Sequence, residues 1–492
     1  MDDQLPILQV VVPLLGALLA ALFRRGPLAW LIAVAASWAS LAIAGRLLFL
    51  VLHDGPISYA IGGWAPEIGI EYRVDLVAAL FLLLVTSISA VIVAIAPRSV
   101  ANEIPRGRIA WFYVMYLMCL TGLLGIAITG DAFNAFVFLE VSSLSSYALI
   151  AFGKDRRALL SAYQYLIMGT IGATFYVIGV GLIYSQTGTL NLGLISERIA
   201  DVESTRSILV ALAFIVVGIS LKLALFPLHL WLPNAYAYAP SIATIFLAAT
   251  ATKVAVYLLV RYLYSVFGAD FVFGELPVTS ILIALSIAAM FGASTIAIFQ
   301  SNIKRMLAYS SVGQIGYITL GLALATNTGL TGGLVHTFNH ALIKGAAFAA
   351  IAAIVYRTGK VRLEDLAGIG RQMPLTMAAF VVAGFGLIGV PGTVGFVSKW
   401  YLVSASVEQG WWWLGFLIVG SSLLALLYVG RVVEVAFFRP PQGSVAAARD
   451  GPPEMVIGAW LLAAAVVYFG LVPDLTAGLA SDAATILLGQ GL

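Results

Sequence analysis

Fourteen long apolar stretches dominate this chain of 492 residues and leave few ways for it to fold. Each is about 18 residues or longer, the length that an α-helix needs to cross roughly 30 Å of hydrocarbon. Of all residues, 61% are hydrophobic and only 10% are charged, unlike a soluble globular protein. The sequence therefore predicts an all-α polytopic membrane protein of about 14 transmembrane helices, forming a single membrane domain over residues 1–492. The predicted spans are 5–23, 28–52, 74–96, 109–129, 132–152, 159–185, 206–227, 241–265, 277–299, 306–325, 330–356, 373–407, 411–438 and 455–480.

The basic residues in the loops predict the orientation of these spans. Sixteen Lys and Arg residues fall in odd-numbered loops and only four, Arg261 among them, in even-numbered loops. Basic residues in short loops stay on the cytoplasmic side. Both termini are therefore expected on the outer side of the membrane. The net charge of +3 reflects these loops and gives no reason to expect nucleic-acid binding.

Two of the predicted spans are interrupted by helix-breaking residues. Span seven meets Pro227, and span twelve contains Gly389 and Pro391, which remove or weaken helical hydrogen bonds in mid-membrane. Each break lies within eight residues of a lysine, Lys222 or Lys399, on opposite sides of it in sequence. Broken helices with reversed polarity are typical of inverted-repeat transporters. We therefore predict two inverted five-helix repeats, 109–265 and 277–438.

Ionisable residues inside the predicted spans are the strongest functional signal. They are Arg46, Glu140, Lys222, Lys253, His336, His340, Lys344, Lys399 and Arg431. A lysine at the bilayer centre costs roughly 2.5–3.5 kcal/mol on insertion scales, so four lysines cost on the order of 10 kcal/mol. Stability does not account for keeping such residues, whereas ion passage does.

Glu140 is the carboxylate predicted in mid-span, and Lys222 is its expected partner. An isolated carboxyl group there would be neutral, so a nearby ammonium is needed to keep it ionised. Such a pair can also serve only to fix helix packing. For Lys253 and Lys399, burial disfavours the charged form, which suits a group that releases and rebinds a proton. The alternative interpretation is that these two lysine side chains extend toward the membrane interface.

His336, His340 and Lys344 follow one another at intervals of four residues, so they share one helix face over about 12 Å. This spacing predicts a proton wire. Zinc binding is the alternative, but the sequence HTFNH lacks the glutamate of HExxH and no third ligand is evident. Satisfied structural histidines are a third interpretation. Cys119 is the single cysteine, which excludes Cys-ligated metal clusters. No metal or cofactor is expected.

Three local features have simpler explanations. Asp131 precedes a span and is expected to be a helix N-cap. Arg431 and Glu434, three residues apart, are expected to form a local ion pair. Trp64 and Trp231 lie at predicted span ends, where aromatic side chains occupy the membrane interface.

Five motifs resemble one known family over nearly the whole chain: FVFLEVSSLSSYAL, KLALFPLHLWLPNAY, ATKVAVYLL, SNIKRMLAYSSVGQIGY and HTFNHALIKGAAF. The chain resembles the antiporter-like subunits shared by Mrp-type multisubunit Na⁺/H⁺ antiporters and the membrane arm of respiratory complex I. The resemblance implies fourteen helices with inverted repeats and a charged axis at mid-membrane. It places proton-translocating roles on Glu140, Lys222, Lys253 and Lys399, with His336 and His340 bridging the two halves.

Within that family, Lys399 in GFVSKWYLV looks like the D-type subunit of the Mrp antiporter. The sequence departs from the family pattern at Asn234 and at PGTVGF. The resemblance implies a proton-translocating subunit of a Na⁺/H⁺ antiporter, without an active site of its own. Its expected partners are the other membrane subunits, H⁺, Na⁺ and the lipid bilayer. A proton-pumping subunit of an NADH-quinone oxidoreductase or a membrane-bound hydrogenase is the alternative.

Overall fold

The computed structural model describes residues 2–202, 205–441 and 443–489, and they form a bundle of long helices. Within these ranges, twelve helices are long and apolar enough to cross a membrane, or up to thirteen with the bent pair Leu363–Gln372 and Pro374–Ile388 taken as one span. A hairpin of two antiparallel strands, β1 (Ile57–Ala60) and β2 (Glu71–Val74), connects the second and third long helices. The expectation of an all-α polytopic membrane protein is confirmed.

The helices of the first half are α1 (Leu5–Phe23), α2 (Gly26–Asp54), α3 (Leu76–Glu103), α4 (Ile109–Ile128), α5 (Ala132–Ala151), α6 (Arg156–Thr187), α7 (Leu192–Ile199), α8 (Thr205–Leu223), α9 (Leu232–Tyr238), α10 (Ser241–Ala249) and α11 (Ala251–Val260). Those of the second half are α12 (Val278–Ala288), α13 (Ser294–Ile298), α14 (Ile303–Ala323), α15 (Asn327–Thr358), α16 (Ile369–Gln372), α17 (Pro374–Ile388), α18 (Val394–Glu408), α19 (Trp412–Val433), α20 (Pro453–Leu471) and α21 (Asp474–Leu487). Single π-helical segments continue α11, α12 and α19.

The long apolar helices coincide with twelve of the fourteen predicted spans. At the other two positions, the predicted tenth span corresponds to α14 and the twelfth to the pair α17 and α18. Asp131 caps α5 as expected, because its carboxylate accepts a hydrogen bond from the Asn134 amide at 2.6 Å. The inverted relation between 109–265 and 277–438 stays a prediction.

The seventh span is broken between α8 and α9, over residues 224–231. This break corrects the expectation for Trp231, which is only 2% exposed and lies inside the protein instead of at the membrane interface. Its indole N–H donates to the Leu221 carbonyl at 2.9 Å, and its ring stacks on Tyr165 with centroids 3.7 Å apart. Because a helix end leaves carbonyls without helical partners, a buried donor is needed there.

The twelfth span is broken between α17 and α18. Gly389 and Gly392 adopt φ angles of 87° and 85°, in the left-handed region that favours glycine. After the break the two half-helices approach closely, and a Cβ atom on Gly395 would lie 1.9 Å from the Gly386 carbonyl oxygen. Only glycine fits at this contact.

A third interruption lies in the eighth span, where no Pro or Gly residue signals a break. Thr250, with φ −125° and ψ −55°, separates α10 from α11. Its hydroxyl donates to the Phe246 carbonyl at 2.7 Å. Side-chain hydrogen bonds of Ser and Thr to the preceding turn bend helices.

Helix α15 lies at the centre of the bundle and packs against α3, α10, α14, α17, α18, α20 and α21. Almost all of its residues from Gly329 to Ile354 are buried. Its two histidines and its lysine are therefore enclosed by protein and not by lipid.

Both described chain ends lie on the face that carries the β-hairpin. Asp2 pairs with Arg46 near the end of α2 at 2.6 Å, and the Tyr59 hydroxyl of β1 donates to Gln4 at 2.8 Å. At the other end, Leu487 of α21 lines a cleft together with Glu71 of β2. This agrees with an even number of crossings, and which face is the outer one stays a prediction.

The close contact at Gly395 leads to a stability prediction. Gly395→Ala should force α17 and α18 apart and destabilise the protein by about 1–3 kcal/mol, the usual cost of overpacking. The thermal unfolding temperature of the detergent-solubilised protein measures this effect. Gly420→Ala is the matched control, because a Cβ atom there meets only Phe291 at 3.8 Å. Equal unfolding temperatures for the two variants would contradict the close packing.

Candidate functional site

Glu140 and Lys222 form an ion pair between α5 and α8 at one end of the candidate site. Their nearest oxygen and nitrogen atoms are 3.7 Å apart, and the side chains are 27% and 5% exposed. The Lys222 ammonium donates to the Ser143 hydroxyl at 2.5 Å and reaches the Tyr147 hydroxyl at 3.5 Å. The structure thus brings together the two residues expected to pair, and adds a serine and a tyrosine to the site.

Gly169 on α6 provides the space for this group. A Cβ atom at this position would lie 1.9 Å from the Tyr147 hydroxyl and 3.3 Å from the Lys222 ammonium. Any larger residue would displace both groups. No local sequence pattern indicates this role, because the glycine lies in an ordinary helical stretch.

Lys253 lies on α11, one turn after the break at Thr250, and is 1% exposed. Its ammonium donates to the Ala248 carbonyl and to the Thr252 hydroxyl, the latter at 3.4 Å. Ala248 belongs to the last turn of α10, whose carbonyls have lost their helical partners. The break therefore supplies a backbone acceptor for a buried ammonium.

His336 connects three helices of the second half. Its Nε2 is 3.0 Å from the amide oxygen of Gln314 on α14, and its Nδ1 is 2.8 Å from the Ser398 hydroxyl on α18. An amide oxygen can only accept a hydrogen bond, so Nε2 is the donor toward Gln314, and Nδ1 shares a hydrogen bond with the Ser398 hydroxyl. Ser398 is the neighbour of Lys399 in sequence. Gln314 and Ser398 thus hold the ring of His336 in place from two helices.

His340 follows one turn later on α15, and neither of its ring nitrogens has a hydrogen-bond partner among the described residues. The rings of His336 and His340 are stacked with centroids 6.3 Å apart, too far for a direct hydrogen bond. Lys344 donates to the Leu307 carbonyl at 2.8 Å and to the Ser310 hydroxyl. A continuous wire along this face needs water between the two rings.

Lys399 lies at the far end, on α18, and reaches back across the break in the twelfth span. Its ammonium donates to the carbonyls of Leu387 and Ile388, both at 3.0 Å, and to the Ser422 hydroxyl at 2.9 Å. It also lies 4.6 Å above the ring of Tyr317. Gly389 leaves room for it, since a Cβ atom there would be 3.0 Å from the lysine side chain.

Several ionisable residues have other positions than expected. Glu434 pairs with Arg439 at 2.9 Å, not with Arg431, so the predicted local pair is wrong. Arg431 instead donates to the Ile298 carbonyl at the end of α13, at 2.7 Å. Lys304, which the predicted spans place in a loop, is buried and donates to the Ala239 carbonyl at 3.2 Å. For Arg431 and Lys304, a carbonyl at a helix end accepts from the cation.

Sequence reasoning also misses His229, which is 3% exposed in the break of the seventh span. Its ring stacks on Phe226 with centroids 5.1 Å apart. Its signal in the sequence is the position of a histidine between two prolines in a predicted break. Within the described ranges, no group of three or more His, Cys, Asp or Glu side chains is placed to hold a metal ion.

A polytopic bundle with buried ammonium, imidazole and carboxylate groups on successive helices defines an ion-translocating membrane protein. Comparison with known proteins identifies its family. Residues 129–425 match the family model described as NADH:quinone oxidoreductase/Mrp antiporter, TM. The chain belongs to this family.

Relatives and a solved structure give the same assignment. The chain is 42% identical over 458 residues to the N subunit of the NADH-quinone oxidoreductase of Desulforudis audaxviator, covering 92% of this chain and 90% of that protein. It is 29% identical over 433 residues to the D-type subunit of the Na(+)/H(+) antiporter of Bacillus subtilis, covering 88% and 86%. A chain in the solved Mrp complex from Dietzia sp. DQ12-45-1b matches with a TM-score of 0.90 at 26% identity, covering 99% of this chain and 97% of that one. The protein is a multi-pass membrane subunit whose relatives work in multisubunit complexes.

The contact between Gln314 and His336 can be tested by removing the acceptor. Gln314→Leu should slow proton translocation about tenfold, the equivalent of about 1.4 kcal/mol, because Nε2 loses its hydrogen-bond partner and the ring is held from one side only. The readout is pH change in vesicles holding the whole complex. Gln300→Leu is the control, since that half-buried side chain bonds only to the preceding helical turn. Unchanged translocation in Gln314→Leu would exclude the positioning role.

Proposed function

We propose that this chain translocates protons as a subunit of a multisubunit monovalent-cation/proton antiporter that exchanges Na⁺ for H⁺. One observation carries the proposal. Three buried lysines, Lys222, Lys253 and Lys399, each lie at a broken helix. A buried ammonium that keeps backbone and hydroxyl acceptors can lose its proton and regain it without leaving an empty polar cavity.

The proposed relay has two ends and a bridge. Glu140 and Lys222 exchange a proton at one end, and Lys399 does so at the other. Lys253, His336, His340 and Lys344 connect the two ends through α11 and α15. A charge gained at one site raises the cost of charging the next, because Coulomb interactions are strong where water is scarce. No covalent chemistry is required, so the proposal gives the chain no enzymatic active site.

Glu140 supports a neighbouring subunit as partner. Its side chain is 27% exposed on this chain alone, although it lies near the middle of α5. A carboxylate facing lipid at that depth is costly. A second membrane subunit that covers Glu140 removes the cost, and the relatives named above are subunits of complexes.

The remaining parts of the proposal concern the ion and the location. The described core offers amines and imidazoles along the axis, which suit protons better than Na⁺, since a dehydrated Na⁺ needs several oxygen ligands. We therefore assign Na⁺ transport to the complex as a whole and not to this polar axis. The protein is proposed to lie in a bacterial inner membrane with both termini outside, as the positions of its basic loop residues favour.

A second candidate function is proton pumping in a redox-driven complex. The observation that favours it is the 42% identity to the N subunit of an NADH-quinone oxidoreductase, over 90% of that protein. The same relay would then be driven by a partner enzyme and not by a Na⁺ gradient.

Exchange measurements on wild type distinguish the two candidates, and Lys399→Ala tests the role of its lysine. Everted vesicles from an antiporter-deficient host that expresses the complete gene cluster should show Na⁺-dependent proton exchange with wild type. Lys399→Ala should abolish it, because the ammonium that donates to Leu387 and Ile388 is gone. Proton pumping that appears only after a redox substrate is added would contradict the antiporter assignment and support the second candidate.

The ion pair at the first end gives an independent test. Glu140→Gln and Lys222→Ala should each lower proton translocation at least a hundredfold, because the pair can no longer be ionised and neutralised together. Both variants should still be inserted in the membrane. Insertion is checked by the amount of assembled complex in the membrane. Glu408→Gln, an exposed carboxylate at the end of α18, is the control. Translocation retained in either test variant would remove the pair from the pathway.

A further inference from the structure

A polar cleft opens on the face of the β-hairpin and has no place in the pathway described so far. Its volume is about 530 Å³, and β2, α7, the end of α11 and α21 form its walls. Six charged residues line it, Glu71, Arg73, Asp75, Glu197, Arg261 and Asp270. Four carboxylates against two guanidinium groups give the cleft a negative balance, which concentrates cations, protons included.

The floor of the cleft is an ion pair between α3 and the π-helical turn after α11. Arg261 donates to Asp75, and their side chains are only 12% and 14% exposed. Asp75 is also the N-cap of α3, accepting from the Ala78 amide at 2.9 Å. The basic-residue pattern of the sequence places Arg261 in a loop, but it lies inside the long apolar helix Ser241–Val266.

The ion pair at the floor of the cleft contacts α11, the helix that carries Lys253. The Nε–H of the Arg261 guanidinium donates to the Tyr257 hydroxyl at 3.0 Å. The ring of Tyr257 packs on Phe81 with centroids 5.2 Å apart. Tyr257 also lines the cleft. It follows Lys253 by four residues on α11, which is one helical turn or about 6 Å.

We propose that this cleft is the port through which protons pass between the aqueous phase on this face and Lys253. The Arg261–Asp75 pair and Tyr257 form its inner end, where bulk water stops. This proposal rests on the proposed proton translocation. It goes beyond it because it states that Lys253 exchanges protons with water on the face that carries the β-hairpin. A merely structural Arg261–Asp75 pair, tying α11 to α3, would not require the cleft to be open.

The port can be blocked from outside without altering the ion pair. Ser265→Cys puts a thiol on the cleft wall, one turn beyond Arg261. Ser185→Cys is the matched control, since Ser185 is exposed at the same membrane face, near the end of α6 and outside the cleft. The native Cys119 is buried, so wild type serves as the unreactive background.

The experiment uses the complete complex in sealed vesicles of both orientations and a membrane-impermeant sulfonate methanethiosulfonate. Both cysteine variants should be labelled from the same side. Labelling should lower proton translocation at least fivefold in Ser265→Cys, compared with the same variant before labelling, and should leave Ser185→Cys and wild type unchanged. Full translocation by labelled Ser265→Cys would overturn the port. Failure of Ser265→Cys to react while Ser185→Cys reacts would overturn it as well.

A charge substitution tests the inner end. Asp75→Asn keeps an N-cap acceptor but removes the charge facing Arg261, and should lower translocation about tenfold. Asp155→Asn is the matched control, because Asp155 also caps a helix and pairs with an arginine, Arg157 at 2.6 Å, but lies outside the cleft. Equal rates in the two variants count against the inner end. Absence of translocation in untreated wild type overturns the proposed function and the port together, whereas wild-type translocation that labelling of Ser265→Cys leaves intact overturns the port alone.

Discussion

The cost of holding ammonium groups in the membrane interior is the constraint on which the rest of this structure depends. A broken helix accompanies the buried lysine at three places. Lys222 lies in the last turn of α8, Lys253 donates to the last turn of α10, and Lys399 donates to the last two residues of α17. The ammonium groups of Lys253 and Lys399 thus meet the negative end of a helix, where carbonyls lack helical partners, whereas that of Lys222 contacts side chains of α5. A broken helix and a buried lysine stabilise each other, so neither feature is a defect.

This coupling explains where small and aromatic residues occur. Gly169 and Gly389 leave space beside Lys222 and Lys399, and Gly395 lets the two halves of the twelfth span approach each other. At the break in the seventh span, Trp231 covers the Leu221 carbonyl that the lysine does not reach. Between the breaks, the enclosed helix α15 holds imidazoles within reach of both halves. The packing of the bundle therefore serves the polar axis at its centre.

Much of this arrangement could be predicted from the sequence, and the rest could not for physical reasons. Apolar length predicts spans, and a Pro or Gly beside a lysine predicts the breaks near Lys222 and Lys399. The break at Thr250 has no such signal, because a threonine hydroxyl bends a helix without changing its composition. The position of a residue along the sequence also does not show how deeply it lies in the protein. The sequence therefore counts Arg261 among the loop residues and places Trp231 at the membrane interface. Gln314 and Gly169 matter only through contacts with distant segments, which no local pattern contains.

In the proposed mechanism, the buried lysines act by releasing and rebinding protons and not merely by being charged. The most direct test is the rate of proton translocation by the reconstituted complex with Lys253→Arg beside Lys253→Met. Arginine keeps the positive charge but does not release its proton in proteins. Both variants should lose translocation to the same extent, with the complex assembled in each. Translocation retained in Lys253→Arg and lost in Lys253→Met would show that a fixed charge is sufficient, and would contradict the account.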